Sequence, residues 1–232
     1  MLNSISTNQR GAILQKNISE KGDLEVIGGA QVQRFGVTGI KGKINKSKID
    51  SDLAYIKDNS ILVQNIVAHI ENPTEHIQIT CAIPTNKNKI LVDTINQIVL
   101  NEDISQECIW SILNSKVVNW YAYRFIFGKA IRTMHFDNSV TARIPIPKKV
   151  LENQKKINSI VLELMKLQKP YLLISPKIAN LDSSKKGYYD LVEEKTKLKS
   201  EIDKLETTLN EVVYDLYGLN KDDIKIIEDS LK

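Results

Sequence analysis

The feature that most constrains this chain is a repeat of apolar residues near its C-terminal end. Seven of them follow one another at intervals of three, four or seven residues, the heptad spacing of a helix that packs along one side against another helix. They are Leu191, Leu198, Ile202, Leu205, Leu209, Val212 and Leu216. We expect this set, the heptad seam, to mediate dimerisation or the docking of a partner protein.

The seam predicts a helix from about Tyr188 to Tyr217, which would be roughly 45 Å long at 1.5 Å per residue. Gly218 favours a stop at that point, and Asn220 predicts the N-cap of a last helix over residues 221–231. Two interpretations of the seam stay open. It forms a coiled coil with another chain, or it belongs to a helical hairpin that packs on its own domain.

Charge is divided unevenly along the chain. Residues 1–150 hold 18 Lys and Arg against 13 Asp and Glu, a net charge of +5, whereas residues 151–232 hold 14 against 15. The N-terminal part is therefore the candidate for contact with a polyanion, and the C-terminal part is the candidate for protein contacts.

The sequence also predicts the compartment. Cys81 and Cys108 form no Cys/His ligand pattern, so we expect two buried thiols in a reducing cytoplasm and no metal site. The apolar runs are short, and we expect neither a membrane span nor a signal peptide. These features predict a cytoplasmic protein.

Residue patterns in the first two thirds of the chain predict a β-rich domain with a packed helix. β-branched runs separated by Gly, Pro, Asn and Asp occupy residues 25–27, 60–70, 76–83 and 89–100. A helix is predicted to begin at Asp103 and to end at Gly128. Its expected core face carries Ile109, Leu113, Val117, Trp120, Tyr121 and Phe125.

Pro145 and Pro147 exclude helix and mark the end of this domain. The predicted fold class is therefore α+β. A β-rich domain over residues 1–147 precedes a long coiled-coil helical arm over residues 148–232, which would serve in dimerisation and docking.

A glycine-rich segment over residues 28–48 combines five glycines, five basic residues, two glutamines and an asparagine. Glycines allow the backbone to approach phosphates, lysines neutralise them, and Gln, Asn and Arg carry the hydrogen-bonding groups that read base edges. The alternative is a solvated hairpin whose lysines only maintain solubility.

On this basis we predict DNA contacts from that segment and from a basic loop that follows the helix. The predicted base contacts are Gln31, Gln33, Arg34, Asn45 and Arg132. The predicted phosphate contacts are Lys41, Lys43, Lys46, Lys48 and Lys129. His135, in the same basic loop, is a further candidate for DNA contact.

Three stretches of the sequence resemble the target recognition domains of restriction-modification systems. The first is CIWSILNSK at residues 108–116, followed by YAYR at 121–124. The second is IPIP at 144–147, followed by ENQKKI at 152–157, and the third is LNEVVYDLYGL at 209–219 with residues 224–228. Together they resemble the TaqI-like C-terminal specificity domain and the specificity subunits of type I and related type IIG or IIB-like systems, over about residues 28–231.

The resemblance implies that the β-rich domain binds double-stranded DNA while paired helices set a distance and dock an adenine-N6 DNA methyltransferase subunit. Because the order of recognition domain and helices occurs once, the chain resembles half of a type I specificity subunit. A homodimer would restore the two-site geometry and would read a bipartite palindrome. The alternative is a single reader of an asymmetric site, and an endonuclease subunit as a further partner stays open.

No catalytic motif accompanies this pattern. The sequence contains no Asn-Pro-Pro-Tyr or Asp-Pro-Pro-Tyr, which would hold a flipped adenine, and no glycine-rich loop for S-adenosylmethionine. We therefore expect a non-catalytic specificity subunit without cofactor or metal. Two other functions remain: a stand-alone DNA-binding regulator, and a coiled-coil assembly protein without nucleic-acid function.

Overall fold

Short β-strands lie between Ser6 and His135 in the computed structural model, which describes residues 1–130, 133–179, 181 and 186–231. The strands are β1 (Ser6–Arg10), β2 (Leu24–Ile27), β3 (Val32–Gln33), β4 (Gly36–Val37), β5 (Gly42–Ile44), β6 (Ser60–Gln64), β7 (Ile66–Ile70), β8 (His76–Gln78), β9 (Cys81–Ala82), β10 (Ile90–Leu91), β11 (Ile95–Leu100) and β12 (Met134–His135). The helices are α1 (Gln106–Leu113), α2 (Lys116–Tyr121), α3 (Asn138–Thr141), α4 (Val150–Ala179), α5 (Lys186–Leu216) and α6 (Lys221–Asp229). The fold is mixed α+β, as the sequence predicts.

The strands form several small sheets. The largest is antiparallel with the order β1-β11-β6-β9, and two three-stranded sheets have the orders β10-β2-β5 and β12-β7-β8. Strands β3 and β4 form a two-stranded hairpin within the glycine-rich segment. The β7 and β12 pairing places His135 opposite Ile66. Strands β6 and β7 are consecutive in the chain but belong to different sheets.

The predicted strand runs are correct in position, but three of the four are too long, and only residues 25–27 lie within a single strand, β2. Residues 60–70 divide into β6 and β7 at Asn65, a buried residue whose backbone N–H bonds to Thr94 in the adjacent chain segment. Residues 76–83 and 89–100 each divide into two strands as well, because the chain passes from one small sheet to the next. Strand β1 does not follow from the sequence pattern, since its sequence STNQR lacks β-branched apolar residues.

The predicted helix over residues 103–128 is divided, and its predicted start is wrong. Ser105 caps α1 by accepting the N–H of Cys108, and Ser115 caps α2 by accepting the N–H of Val118. A π-helical turn over Ala122–Ile126 follows, and the segment ends at Gly128 with a φ of +62°. Two serine caps thus turn one expected helix into two, with the chain redirected between them.

The predicted core face of this segment is confirmed in part. Ile109, Leu113 and Val117 are buried, whereas Trp120 and Tyr121 are half-buried and Phe125 is exposed. Trp110, which is not part of the predicted core face, is the largest buried side chain. The three partly accessible aromatic rings contact one another through Phe125.

Helices α4 and α5 form a long antiparallel hairpin. The amine of Lys195 on α5 lies 5.7 Å from the ring centre of Tyr171 on α4, and at the other end the hydroxyl of Tyr217 donates to the carbonyl of Pro145. The predicted helix over 188–217 matches α5 within two residues. After it, Gly218 has a φ of +66°, and Asn220 caps α6 by accepting the N–H groups of Asp222 and Asp223, as predicted.

The heptad seam faces the same chain. Ile202, Leu209, Val212 and Leu216 are buried in a cluster that includes α4, while Leu191, Leu198 and Leu205 are half-buried. The same cluster contains Ile157, Val161 and Leu164 of α4, and α4 and α5 contact each other. The intrachain hairpin therefore accounts for five of the seam residues, which corrects their assignment to dimerisation or docking: Ile202, Leu205, Leu209, Val212 and Leu216. For Leu191 and Leu198 that assignment stays a prediction. The homodimer itself stays a prediction.

One apolar core crosses the predicted domain boundary at residues 147 and 148. It begins in the sheet with Ile61 and Ile98, continues through Trp110 of α1, and reaches Val161 and Ile202 in the hairpin. The base of the hairpin is thereby fixed to the β-rich part. None of the helices in the described part of the chain is long and apolar enough to cross a membrane.

Close backbone packing at Gly11 gives a test of the sheet arrangement. A Cβ at this position would lie 2.4 Å from the carbonyl oxygen of Val92, so Gly11→Ala should lower the free energy of unfolding by about 1–3 kcal/mol. The control is Gly187→Ala on α5, where no atom lies within 4 Å of the added carbon and stability should be unchanged or slightly higher. Urea unfolding measures both variants, and equal stability would contradict the packing around Gly11.

Candidate nucleic-acid interface

The two predicted glutamines of the glycine-rich segment hydrogen-bond within it. Gln31 accepts the N–H of Gly28 at 3.0 Å, and Gln33, which is exposed, donates to the carbonyl of Ala30 at 2.9 Å. These bonds leave the second polar atom of each side chain for an external contact. The segment thus keeps two amides in fixed positions next to the β3–β4 hairpin.

Arg34 has an internal partner instead. Its guanidinium lies 2.8 Å from the carboxylate of Glu206 on α5. Its Cζ atom lies 5.0 Å from the ring centre of Phe35 and 5.6 Å from that of Trp110. The Trp110 N–H also donates to the carbonyl oxygen of Arg34 at 2.7 Å. We therefore remove Arg34 from the base-contact set, because its charge is paired with Glu206 and its guanidinium lies against the rings of Phe35 and Trp110.

The predicted phosphate contacts are mostly accessible. Four of the five predicted phosphate contacts are exposed: Lys41, Lys46, Lys48 and Lys129. Asn45, a predicted base contact, is exposed as well. Lys43 is half-buried within β5, where its backbone pairs with Ser19. Arg132 lies outside the described residues. The accessible lysines keep the segment as a candidate surface for a polyanion.

A cleft of about 330 Å³ opens beside this segment, and we call it the glycine cleft. It is lined by Gly28, Gly29, Ala30, Gln31, Lys41, Gln64, Ile66 and Thr94. The N–H of Gly29 donates to the hydroxyl of Thr94, and a Cβ at Gly29 would lie 2.9 Å from the Thr94 carbonyl oxygen. Glycine is therefore required here for the close approach of two backbones. The predicted residues Gln31 and Lys41 meet in this cleft.

A second cleft of about 370 Å³, the asparagine cleft, is lined by Asn8, Arg10, Asn65, Asn96, His135, Asp137 and Asn138. Asn65 and Asn96 are buried, and the amide nitrogen of Asn96 donates to the amide oxygen of Asn65 at 2.8 Å. The amide nitrogen of Asn65 then lies 3.1 Å from Nδ1 of His135. Of the residues that line this cleft, only His135 is predicted from the sequence. The available signal is the polar sequence STNQR of β1, whose alternate residues Asn8 and Arg10 line the cleft.

Residues 64–66 connect the two clefts. Gln64 and Ile66 line the glycine cleft, whereas Asn65 lines the asparagine cleft. Ile66 is half exposed between them. Predicted residues from distant parts of the sequence, Gln31, Lys41 and His135, are thus brought to the two sides of one short segment. Amide, guanidinium, imidazole and ammonium groups are available along it.

Asp137 gives the asparagine cleft a negative charge. Burial opposes its ionisation, but hydrogen bonds from the Ser139 hydroxyl and from the backbone N–H groups of Val140 and Ser139 outweigh that effect and lower the pKa of Asp137. The nearby imidazole of His135 acts in the same direction. The carboxylate is therefore ionised at neutral pH, and Arg10 is the cationic group that lines the same cleft.

Comparison with known proteins adds no family assignment, because neither a protein-family model nor a curated protein matches this sequence. Within residues 1–130, 133–179, 181 and 186–231, no group of three His, Cys, Asp or Glu side chains is placed to hold a metal ion. The chemistry that the described site offers is hydrogen bonding and charge.

The Arg34–Glu206 pair predicts a stability effect. Glu206→Ala leaves a half-buried guanidinium without its carboxylate and should lower the free energy of unfolding by about 1–3 kcal/mol. Asp203→Ala is the control, because it removes an exposed pair with Lys199 one turn away and should change stability by less than about 1 kcal/mol. Urea unfolding of both variants measures the difference. Equal effects would contradict the internal role of Arg34.

The two buried cysteine thiols should be unreactive in the folded protein. Burial raises the pKa of the Cys108 thiol to about 11 and raises the pKa of Cys81 well above its ordinary range. Because the thiolate is the reactive form, neither thiol should react with a thiol-specific reagent near neutral pH in the folded protein. Both should react after denaturation. A rapidly reacting thiol in the folded protein would contradict the burial of these side chains.

Proposed function

We propose that this protein is the non-catalytic DNA sequence-specificity subunit of an adenine-N6 DNA methyltransferase. The observation that supports DNA binding most is the pair of polar clefts on either side of residues 64–66. They present amide, guanidinium and imidazole groups, which form directional hydrogen bonds to base edges. These groups, gathered in two adjacent clefts, favour nucleic-acid binding over protein assembly alone.

The glycine-rich segment supports phosphate contacts beside these clefts. Gly36 and Gly39 adopt φ values of +144° and +68°, and no atom lies within 4 Å of the position that a Cβ would occupy. This open backbone can approach a phosphate closely, and the exposed Lys41, Lys46 and Lys48 supply positive charge in the same segment. In the proposed complex the lysines position the protein, and the clefts read the sequence.

The hairpin of α4 and α5 is the proposed contact for the methyltransferase and for a second copy of the chain. Its helices of 30 and 31 residues are long enough to span roughly 45 Å. Because much of the heptad seam is buried within the chain, these contacts would use exposed apolar side chains of the hairpin. Those available in the described residues include Leu162, Leu173 and Tyr189. A homodimer would place two recognition domains on a bipartite palindrome.

The phosphate contacts can be tested by removing three lysines together. Lys41→Ala, Lys46→Ala and Lys48→Ala in one variant should weaken binding by a similar factor for every duplex, because phosphates are common to all sequences. The slope of log affinity against log salt concentration should become shallower by about 0.9 for each phosphate that the variant no longer neutralises. Fluorescence anisotropy at several salt concentrations measures both quantities.

The matched control removes the same charge from α4. Lys155, Lys156 and Lys166 are exposed there, and their triple alanine variant should keep most of the affinity and most of the salt slope. Equal losses in the two triple variants would show that only net charge matters. Unchanged binding in the Lys41, Lys46 and Lys48 variant would contradict this face as the DNA surface.

The methyltransferase part of the proposal needs a direct assay. An adenine methyltransferase encoded next to this protein should form a complex with it and should methylate one defined sequence only when this protein is present. The measurement is N6-methyladenine in plasmid DNA after incubation with each protein alone and with both. Methylation of the same sequence by the methyltransferase alone would contradict the proposal, and specific DNA binding without complex formation would favour a stand-alone regulator.

A further inference from the structure

Arg10 at the end of β1 is held by one side of its guanidinium. Its Nε donates to the carbonyl oxygen of Asp93 at 2.7 Å, and its Nη2 lies 3.6 Å from the Asp93 carboxylate. The Arg10 side chain is nevertheless 56% exposed. An arginine carries five N–H donors in a planar fork, so an arginine anchored through Nε presents its terminal N–H groups in a defined direction.

The buried asparagines determine which nitrogen of His135 carries a proton. Asn65 uses its amide oxygen to accept from Asn96, so its amide nitrogen is the atom that faces Nδ1 of His135. An amide nitrogen only donates, and Nδ1 must therefore accept. The neutral imidazole then carries its proton on Nε2. Because His135 is exposed and lines the cleft, this second nitrogen is available as a donor.

Arg10 and His135 line the same cleft. Arg10 is paired with Asn96 in the β1–β11 register, and Asn96 begins the hydrogen-bond chain that ends at His135. Asp137 adds an acceptor. Its Oδ1 accepts from Ser139 and Val140, and its Oδ2 makes no hydrogen bond among the described residues. The cleft thus offers two kinds of donor and one carboxylate oxygen.

This set fits the major-groove edge of a G·C pair better than a phosphate or an A·T pair. Guanine presents two adjacent acceptors, O6 and N7, and its partner cytosine presents an amino donor. A phosphate would be repelled by Asp93 and Asp137. An A·T pair places the adenine amino group where the arginine and histidine donors require an acceptor.

We propose that the asparagine cleft reads a guanine, with Arg10 and His135 donating to its major-groove acceptors and Asp137 accepting from the paired cytosine. This inference rests on the proposed DNA-binding function and assigns a base class to one of its two clefts. Asn65 and Asn96 are positioning residues, because they act by orienting His135. Arg10 becomes the main specificity residue.

The first test selects binding duplexes from a randomised pool with the full chain. Wild type and the charge control Lys166→Ala should enrich one sequence, and Arg10→Ala should enrich the same sequence with the preference for guanine strongly reduced at one position. Retention of every guanine by Arg10→Ala would overturn the inference and leave the proposed function standing. Enrichment of no sequence by wild type would contradict the proposed function itself, and this inference would fail with it.

The second test alters the selected guanine. Inosine keeps O6 and N7, so wild type should bind it unchanged, whereas 7-deazaguanine lacks N7 and should bind more weakly. Replacing the G·C pair by A·T should weaken wild type roughly 5- to 150-fold, with much smaller effects in Arg10→Ala and Arg10→Lys. His135→Ala should lose part of the discrimination. A large loss with inosine would indicate minor-groove reading and overturn the inference, and thermal melting confirms that each variant is folded.

Discussion

The indole of Trp110 is the contact on which the arrangement of the other elements depends. The side chain is fully buried, and its single N–H lies within hydrogen-bonding distance of two carbonyl oxygens, that of Cys81 in β9 and that of Arg34 in the glycine-rich segment. The guanidinium of Arg34 in turn reaches Glu206 on α5. Trp110 thus joins the central sheet to the glycine-rich segment, and Arg34 joins that segment to the hairpin. The proposed DNA surface therefore has a fixed position relative to the helices.

This coupling has a consequence for the proposed function. A protein that directs another enzyme to a base must hold its DNA-reading groups at a constant distance from the docking surface, and a continuous core from Ile61 to Ile202 meets that requirement. In the asparagine cleft, hydrogen bonds hold a single side chain, His135, in position. Buried amides are costly unless they are paired, and the pairing of Asn96 with Asn65 both removes that cost and orients His135.

Local signals predict the parts of the fold that depend on short-range chemistry. Gly218 and Asn220 act at the end of α5 as the sequence indicates, because a left-handed glycine and an N-cap need only their neighbours. The β-branched runs mark the strands, but their division into short strands depends on which sheet each residue joins. The heptad seam is visible in the sequence, yet its spacing is the same whether the partner helix belongs to the same chain or to another.

The candidate site is harder to predict because it is assembled from distant segments. Residue type identifies Gln31, Lys41 and His135, whereas Arg10 lies in a strand that the polar sequence STNQR does not suggest. Arg34 has the residue type of a base reader, and the sequence does not show that Glu206, 172 residues away in the chain, is in contact with it. Tertiary contacts decide which polar residues are free to bind a ligand.

Hydrogen exchange of the full chain with and without its selected duplex tests the account most directly. Slower exchange on DNA binding is expected in residues 8–10, 28–31, 41–48 and 134–138, with the amides along the middle of α4 and α5 unchanged. Protection confined to the hairpin, or protection of no segment in the β-rich part, would contradict the assignment of this surface to DNA.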